Sequence, residues 1–243
     1  LKIACVSDVH GKLAAVQWPK ADVLILGGDI LPNLSRVLNS DVFMQTMWLE
    51  ETFAPLIQKL LDKGVYDHIV MTPGNHDKVF AYNEKEARAI LNRIRGSFHL
   101  LINEDAIIDG KVFWGSPMSR WFYGQHWVFN FPDHNANFAR ARAHSRNCWE
   151  LIPDDVEVLI THGPALGILD ECANGDLAGC PWLKERMCEL KNLKLHVVGH
   201  IHEAAGQKMW SPSPLSQSEI ICVNASICTL AYKPTNLAQV VTI

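Results

Sequence analysis

Short apolar runs recur along the chain, and most are followed within a few residues by a turn rich in Gly, Asp, Asn or His. The runs at residues 1–7, 22–26, 68–71, 156–161, 195–199, 220–224 and 237–242 are predicted strands. Helical periodicity fills several of the gaps. Over residues 41–63, Phe43, Met47, Phe53, Leu56, Ile57, Leu60 and Leu61 recur at helical spacing, and Gly64 ends the run. Residues 84–93, a basic stretch at 135–149 and residues 181–190 are further predicted helices. Residues 98–115 predict a meander of short strands broken at Asn103-Glu104-Asp105 and Asp109-Gly110. The Ser/Pro-rich residues 211–218 predict a hairpin loop. Strands alternating with helices are the pattern of a layered α/β fold. With no internal repeat and no linker, residues 1–243 are expected to form one domain.

Composition narrows the picture. A chain of 243 residues that is 48% hydrophobic can bury one substantial core. Lys and Arg number 22 against 26 Asp and Glu, a net charge of −4, which lacks the cationic footprint of a protein built to bind long nucleic acid. No apolar run approaches the ~18 residues of a membrane span, so no membrane association is expected. The seven cysteines show no zinc-ribbon spacing, and the even spacing of Cys172, Cys180 and Cys188 matches no metal geometry. Reduced buried thiols, and with them a cytoplasmic or organelle-matrix setting, are the expectation. The chain opens at Leu1 directly on a strand, with no signal-peptide pattern and no initiator Met, which leaves open a targeting segment ahead of it.

The chemistry is concentrated in five turns: Asp8-Val9-His10, Gly27-Gly28-Asp29, Gly74-Asn75-His76-Asp77, Thr161-His162-Gly163 and Gly199-His200-Ile201-His202. Each leaves an apolar strand, and in α/β sheets such turns gather where ligands bind, at the carboxyl ends of strands. Together they carry three Asp, one Asn and five His, enough oxygen and nitrogen for two adjacent divalent ions with one histidine to spare. Asp8 and His10 lie two apart, so in extended backbone both face one way and can clasp one ion. His200 and His202 share that spacing and can reach two ions or share one. Asp29 follows a Gly-Gly pair that allows close approach, and its two oxygens suit a bridge. Asn75 adds a neutral carbonyl oxygen.

Two cations ~3.5–4 Å apart would lower the pKa of a bridging water and stabilise the attacking and leaving oxygens of a phosphoryl ester. His76 is then free to protonate the leaving group, with Asp77 orienting its ring. Mixed Asp/Asn/His ligation favours manganese, iron, zinc, cobalt or nickel over calcium or magnesium, with manganese placed first.

Each triplet alone is a weak signal, since most such turns are ordinary surface structure. Their conjunction has no structural explanation other than a site. His68, His99, His126, His134, His144 and His196 fit no ligand pattern and are read as core or surface residues. The basic run Arg140-Ala141-Arg142-Ala143-His144-Ser145-Arg146 is read as a solvated helix face. The aromatic cluster of Trp114, Trp121, Phe122, Tyr123, Trp127, Phe129 and Phe131 is too dense for a plain loop, and is either satellite core or a wall that stacks a nucleobase.

The five motifs resemble those of the calcineurin-like metallophosphoesterase superfamily across essentially the whole chain. Longer strings resemble the metallophosphoesterase-domain-containing group within it, also described as class III-like cyclic nucleotide phosphodiesterases. These strings are Trp114-Gly115-Ser116-Pro117 with Trp121-Phe122-Tyr123, Thr161-His162-Gly163-Pro164-Ala165-Leu166-Gly167, Gly199-His200-Ile201-His202-Glu203 and Val223-Asn224-Ala225-Ser226-Ile227-Cys228-Thr229. The resemblance implies a four-layer α/β/β/α sandwich with its metal site in the loops at the strand C-termini. It also implies ligand sets: Asp8, His10, Asp29 and His202 around a first metal, and Asp29, Asn75, His162 and His200 around a second. Some members of the group lack the histidine matching His200 and are feeble enzymes; its presence here implies a competent catalyst.

The function expected is therefore a binuclear metal-dependent phosphodiesterase that hydrolyses a small nucleotide-like diester by attack of a metal-bridged hydroxide. Asn75, His76, Trp121, Phe122 and Asn224 are the expected substrate contacts. A phosphomonoesterase or protein phosphatase is the alternative within the same chemistry. A nucleotide-binding scaffold with little turnover is the alternative from another class.

Overall fold

A computed structural model of the chain describes residues 1–122, 127–213 and 219–243. Tyr123, His126 and most of the expected hairpin loop at 211–218 lie outside the described residues.

Strands β1 (Lys2–Val6), β2 (Val23–Leu26), β3 (His68–Met71) and β4 (Ser97–Leu100) run parallel in one sheet. In a second sheet follow β5 (Glu104–Ile108), β6 (Lys111–Ser116), β7 (Val158–Thr161), β8 (Leu195–Val198), β9 (Gly206–Trp210) and β10 (Ile220–Asn224). Its order is β5-β6-β7-β8-β10-β9, parallel through the middle, with β5 and β9 antiparallel at the edges. β11 (Gln239–Thr242) returns to the first sheet, antiparallel to β1.

The apolar residues sort by strand alternation into three cores. Ala4 and Val6 of β1 face helices, whereas Ile3 and Cys5 face the other sheet. Across that middle core stand Phe113, Val158, Ile160, Val197 and Val223. On the far face of the second sheet, Trp114, Leu159 and Cys222 pack with Trp149, Leu183 and Met187 of its covering helices. Three cores between four layers make an α/β/β/α sandwich. Sheets covered on both faces explain why β2, β7 and β8 are buried at every position and mostly apolar.

The helices over the first sheet are α1 (Leu38–Trp48), α2 (Ala54–Asp62), α3 (Val79–Tyr82) and α4 (Glu84–Leu91). Over the second lie α5 (Phe138–Trp149) and α6 (Pro181–Met187). The helix expected over 41–63 is one helical run interrupted by a π turn at Leu49–Phe53, where the Ala54 N–H reaches back to the Leu49 carbonyl. Pro55 follows, and its missing N–H and bulky ring forbid a regular α turn there. Phe43 and Met47, part of that apolar periodicity, are 66% and 38% exposed. The inward face of α1 is polar instead, because Asp41 and Gln45 hold loops. Asp41 Oδ1 accepts the Leu34 and Ser35 amides, and Gln45 Nε2 donates to the Pro32 and His76 carbonyls.

The expected meander is divided between two sheets. β4 pairs with β3, whereas β5 and β6 form an edge hairpin of the second sheet, closed at Asp109-Gly110 with both residues at positive φ. β9 carried no apolar signal, since an edge strand reading Gly-Gln-Lys-Met-Trp has little to bury.

Candidate metal centre

The two sheets are stitched together at the ends of β1 and β10. Ser7 bridges Ser226, with the Ser7 amide donating to the Ala225 carbonyl and the Ile227 amide to the Ser7 carbonyl. Beside this seam the turns after β1 and β2 run in parallel: the Asp8, His10 and Gly11 amides donate to the Gly28, Asp29 and Ile30 carbonyls. Turns from β3, β7 and β8 close on the same spot. Asp8, His10, Asp29 and His200 all have φ between 46° and 69°, a left-handed backbone that L residues adopt only when the surroundings impose it. Two glycines are dictated by contact. A Cβ on Gly74 would strike Asp29 and His162, and one on Gly199 would strike Ser7 Oγ and Asp8 Oδ2.

Buried Asp29 lies at the middle. Its Oδ1 accepts the His76 amide at 2.7 Å. Its Oδ2 faces Nε2 of His162 at 3.4 Å, of His76 at 3.9 Å and of His10 at 4.0 Å. On one side, Asp8 Oδ1 lies 3.3 Å from His202 Nε2, which is 3.3 Å from His10 Nε2. On the other, His162 Nε2 lies 2.9 Å from Asn75 Oδ1, and the His162 and His200 rings are 5.1 Å apart. Three overlapping trios, Asp8/His10/His202, His10/Asp29/His76 and Asp8/Asp29/His162, each hold donor atoms within 4.8 Å of one another.

These donors fit divalent cations. The Nδ1 atoms of His162 and His202 lie 3.0 Å from the Gly27 and Thr229 carbonyls. Donation there orients each ring and turns Nε2 inward, the nitrogen a cation would take on losing its proton, as in second-sphere support of metal-binding histidines. Burial alone would raise the Asp8 and Asp29 carboxyls. The His202 hydrogen bond and the positive charge of His162 and His202 overcome it for Asp8, and the charge of His162 and His76 does so for Asp29, so both are held low. Burial would also lower His162 and His202, yet Asp29 lifts the first and Asp8 the second, to about 9 in each case. Burial dominates at His10 and His200, which fall to about 4 and about 3, and it also lowers His76. The site thus concentrates negative charge that imidazolium protons neutralise where divalent cations would.

All seven expected metal ligands and His76 converge here. Asp77 does not orient His76. Its oxygens accept the amides of Leu31 at 2.8 Å, Ile30 at 3.3 Å and Gly74 at 2.8 Å, so it pins the β2 and β3 turns together. The partner of His76 Nδ1 is Asn33 Nδ2 at 2.6 Å, a residue the sequence reading missed. Asn224 does not line the site either. Its Nδ2 donates to the Ile201 and Leu169 carbonyls and its Oδ1 accepts from Ser226, which anchors the turn before His202. Ser7 and Ser226, also missed, donate to Asp8 Oδ2 at 2.7 and 2.8 Å.

The aromatic cluster divides. Trp114 and Phe131 are core, and Trp121 lies edge-on to His134. Phe122 lies edge-on to His200 with centroids 4.7 Å apart and stacks on Trp127, whose ring is 4.2 Å from His76. Tyr232 lies 4.7 Å from His10 and 5.6 Å from His202. No local pattern marked it: it stands three residues past the Val223–Thr229 string, in a turn that carries no ligand-type residue.

Residues 1–204 match the sequence model of the calcineurin-like phosphoesterase family, and the chain belongs to that family. It is 31% identical to human metallophosphoesterase domain-containing protein 1, over 97% of this chain and 68% of that protein. A UPF0046 protein of Caenorhabditis elegans is 29% identical over 94% of this chain and 70% of its own length. Among solved structures, TT1561 of Thermus thermophilus superposes with a TM-score of 0.55 at 15% identity, covering 92% of this chain and 88% of that one. The last likeness is one of fold.

Proposed function

We propose that the chain is a binuclear metal-dependent phosphodiesterase acting on a small nucleotide-like diester, a class that includes cyclic nucleotides. The observation that carries the reading is one buried carboxylate, Asp29, between two groups of donors: Asp8, His10 and His202 on one side, Asn75 and His162 with His200 on the other. Two divalent ions, manganese before iron, zinc, cobalt or nickel, would supply Lewis acidity and an activated water here.

The remaining work belongs to the chain itself. Among the described residues Asn75 Nδ2 is buried without a hydrogen-bond partner, so it is placed to donate to a phosphoryl oxygen. An Asn33 amide donating to His76 Nδ1 leaves that ring's proton on Nε2, the nitrogen facing Asp29. His76 thereby holds a proton toward the reacting centre for the leaving oxygen. The buried Asp8, Asp29, Asn75 and His162 present a floor that limits bulk water beneath the ester. Among the described residues no helix is long and apolar enough to cross a membrane. The seven unpaired cysteines support a reducing, cytoplasmic setting.

The test compares bis-p-nitrophenyl phosphate with p-nitrophenyl phosphate, using metal-stripped protein resupplied with Mn²⁺. Diester turnover that stops with chelator is expected. Cleavage of the monoester alone would replace this reading by a phosphomonoesterase, and metal binding without any turnover by a nucleotide-binding scaffold. His76→Ala should lose ~10²- to 10⁴-fold in kcat with metal content unchanged.

A further inference from the structure

The rings around the ligand imidazoles form two separate walls. Phe122 and Trp127 border the centre on its His200 and His76 side, stacked on each other with an interplanar angle of 23°. Tyr232 borders it on the His10 and His202 side. Among the described residues His76 is the imidazole in ring contact with both walls, 4.2 Å from Trp127 and 6.3 Å from Tyr232.

Nothing in the packing of the fold calls for a ring at position 232. Tyr232 is 41% exposed and belongs to none of the three cores. Its φ of 56° is a left-handed backbone unusual for a bulky residue, held by its amide donating to the Thr229 carbonyl at 2.7 Å. That same carbonyl receives His202 Nδ1, so one turn sets both the imidazole and the ring above it. Lys12 Nζ stands 6.0 Å from the Tyr232 ring and places a cation at the outer end of the wall.

We infer that Trp127 and Tyr232 bound a slot for a flat aromatic or heteroaromatic group on the leaving side of the ester, and so set which phosphoesters this centre accepts. The inference rests on the phosphoesterase reading, in which the leaving group departs past His76. Since His76 sits where the walls meet, a group leaving toward it passes between the two rings. Stacked or edge-on contacts of an aromatic group with either wall add affinity that an alkyl group of equal charge cannot collect. Tyr232 and Trp127 are specificity residues on this view, and the chemistry stays with the metal ligands and His76.

The experiment measures binding of phenylphosphonate and methylphosphonate to Mn²⁺-loaded protein by calorimetry, a readout that needs no turnover. The wild type should bind the phenyl compound about tenfold more tightly. Tyr232→Ala and Trp127→Ala should each cut that preference to about threefold or less, with methylphosphonate affinity and melting temperature unchanged. Tyr232→Phe should keep the preference, and Tyr82→Ala, an exposed ring away from the centre, should not alter it. A wild type without preference, or a preference that survives both alanine variants, overturns the slot. If phosphonates bind as expected while no phosphoester is turned over, the slot stands and the catalytic reading falls.

Discussion

Loading the metal-free centre with divalent cations should expel protons, and the pH dependence of their number is set by two imidazoles. His162 and His202 are held at about 9 by Asp29 and Asp8, whereas His10, His200 and His76 are held below their ordinary value. At pH 7.5 a group titrating at about 9 is ~97% protonated, and at pH 10 only ~9%. A metal needs the bare Nε2, so filling both positions should release ~1.9 imidazolium protons at pH 7.5 and ~0.2 at pH 10, with about one more wherever the metal-bound water ionises. Apparent affinity for the pair should then rise by nearly two logarithmic units per pH unit across the neutral range. The assay is calorimetry of Mn²⁺ binding to stripped protein in buffers of different ionisation enthalpy, where the slope of heat against buffer enthalpy counts protons. His202→Ala and His162→Ala should each remove about one proton from the total. Release below ~0.5 proton at pH 7.5, or release that does not decline toward pH 10, would refute the assignment of protons to these ligands.

Stability of the metal-free fold should peak near pH 6.5. The raised pKa values of His162 and His202 stabilise it below pH ~6.5 and cease to as pH rises through about 9; the lowered values of His10 and His200 withdraw stability as pH falls toward about 4 and about 3. Melting curves from pH 4 to 10 check this, and saturating Mn²⁺ should abolish the alkaline decline. Gly199→Ala forces a methyl against Ser7 Oγ and Asp8 Oδ2 and should destabilise by ~1–3 kcal/mol while weakening metal loading, read by melting and metal analysis. Asn224→Ala removes the donor to the Leu169 carbonyl, the acceptor of the Ser226 amide and one of two donors to the Ile201 carbonyl, so ~1–3 kcal/mol of stability should go while KM stays constant; a raised KM at full stability would restore a substrate contact. Asp77→Asn leaves a single oxygen to accept the Leu31, Ile30 and Gly74 amides and should lower the melting temperature without changing the dependence of rate on leaving group.

The chemistry was legible in the sequence because each candidate ligand sits in a turn directly after its own buried strand. A strand covered on both faces must be an apolar run, and the turn leaving it is where Gly, Asp, Asn and His stand out. Asp8, His10, Asp29, Asn75, His162, His200 and His202 therefore announced themselves locally, and so did the layered α/β architecture. Which residues serve them did not. Asn33 meets His76 across 43 positions, between the turns of neighbouring strands β2 and β3, and Ser226 meets Asp8 across 218, where the two sheets close together. Tertiary packing turned Asp77 and Asn224, both within the motifs, into staples for backbone amides and carbonyls. It left Phe43 in solvent, because the inward face of its helix is taken by Asp41 and Gln45 holding the loops of the site. Local pattern fixes what a residue can do, since periodicity and turn chemistry act over a few residues. What it touches depends on surfaces brought together from distant parts of the chain, and only the packed sandwich decides that.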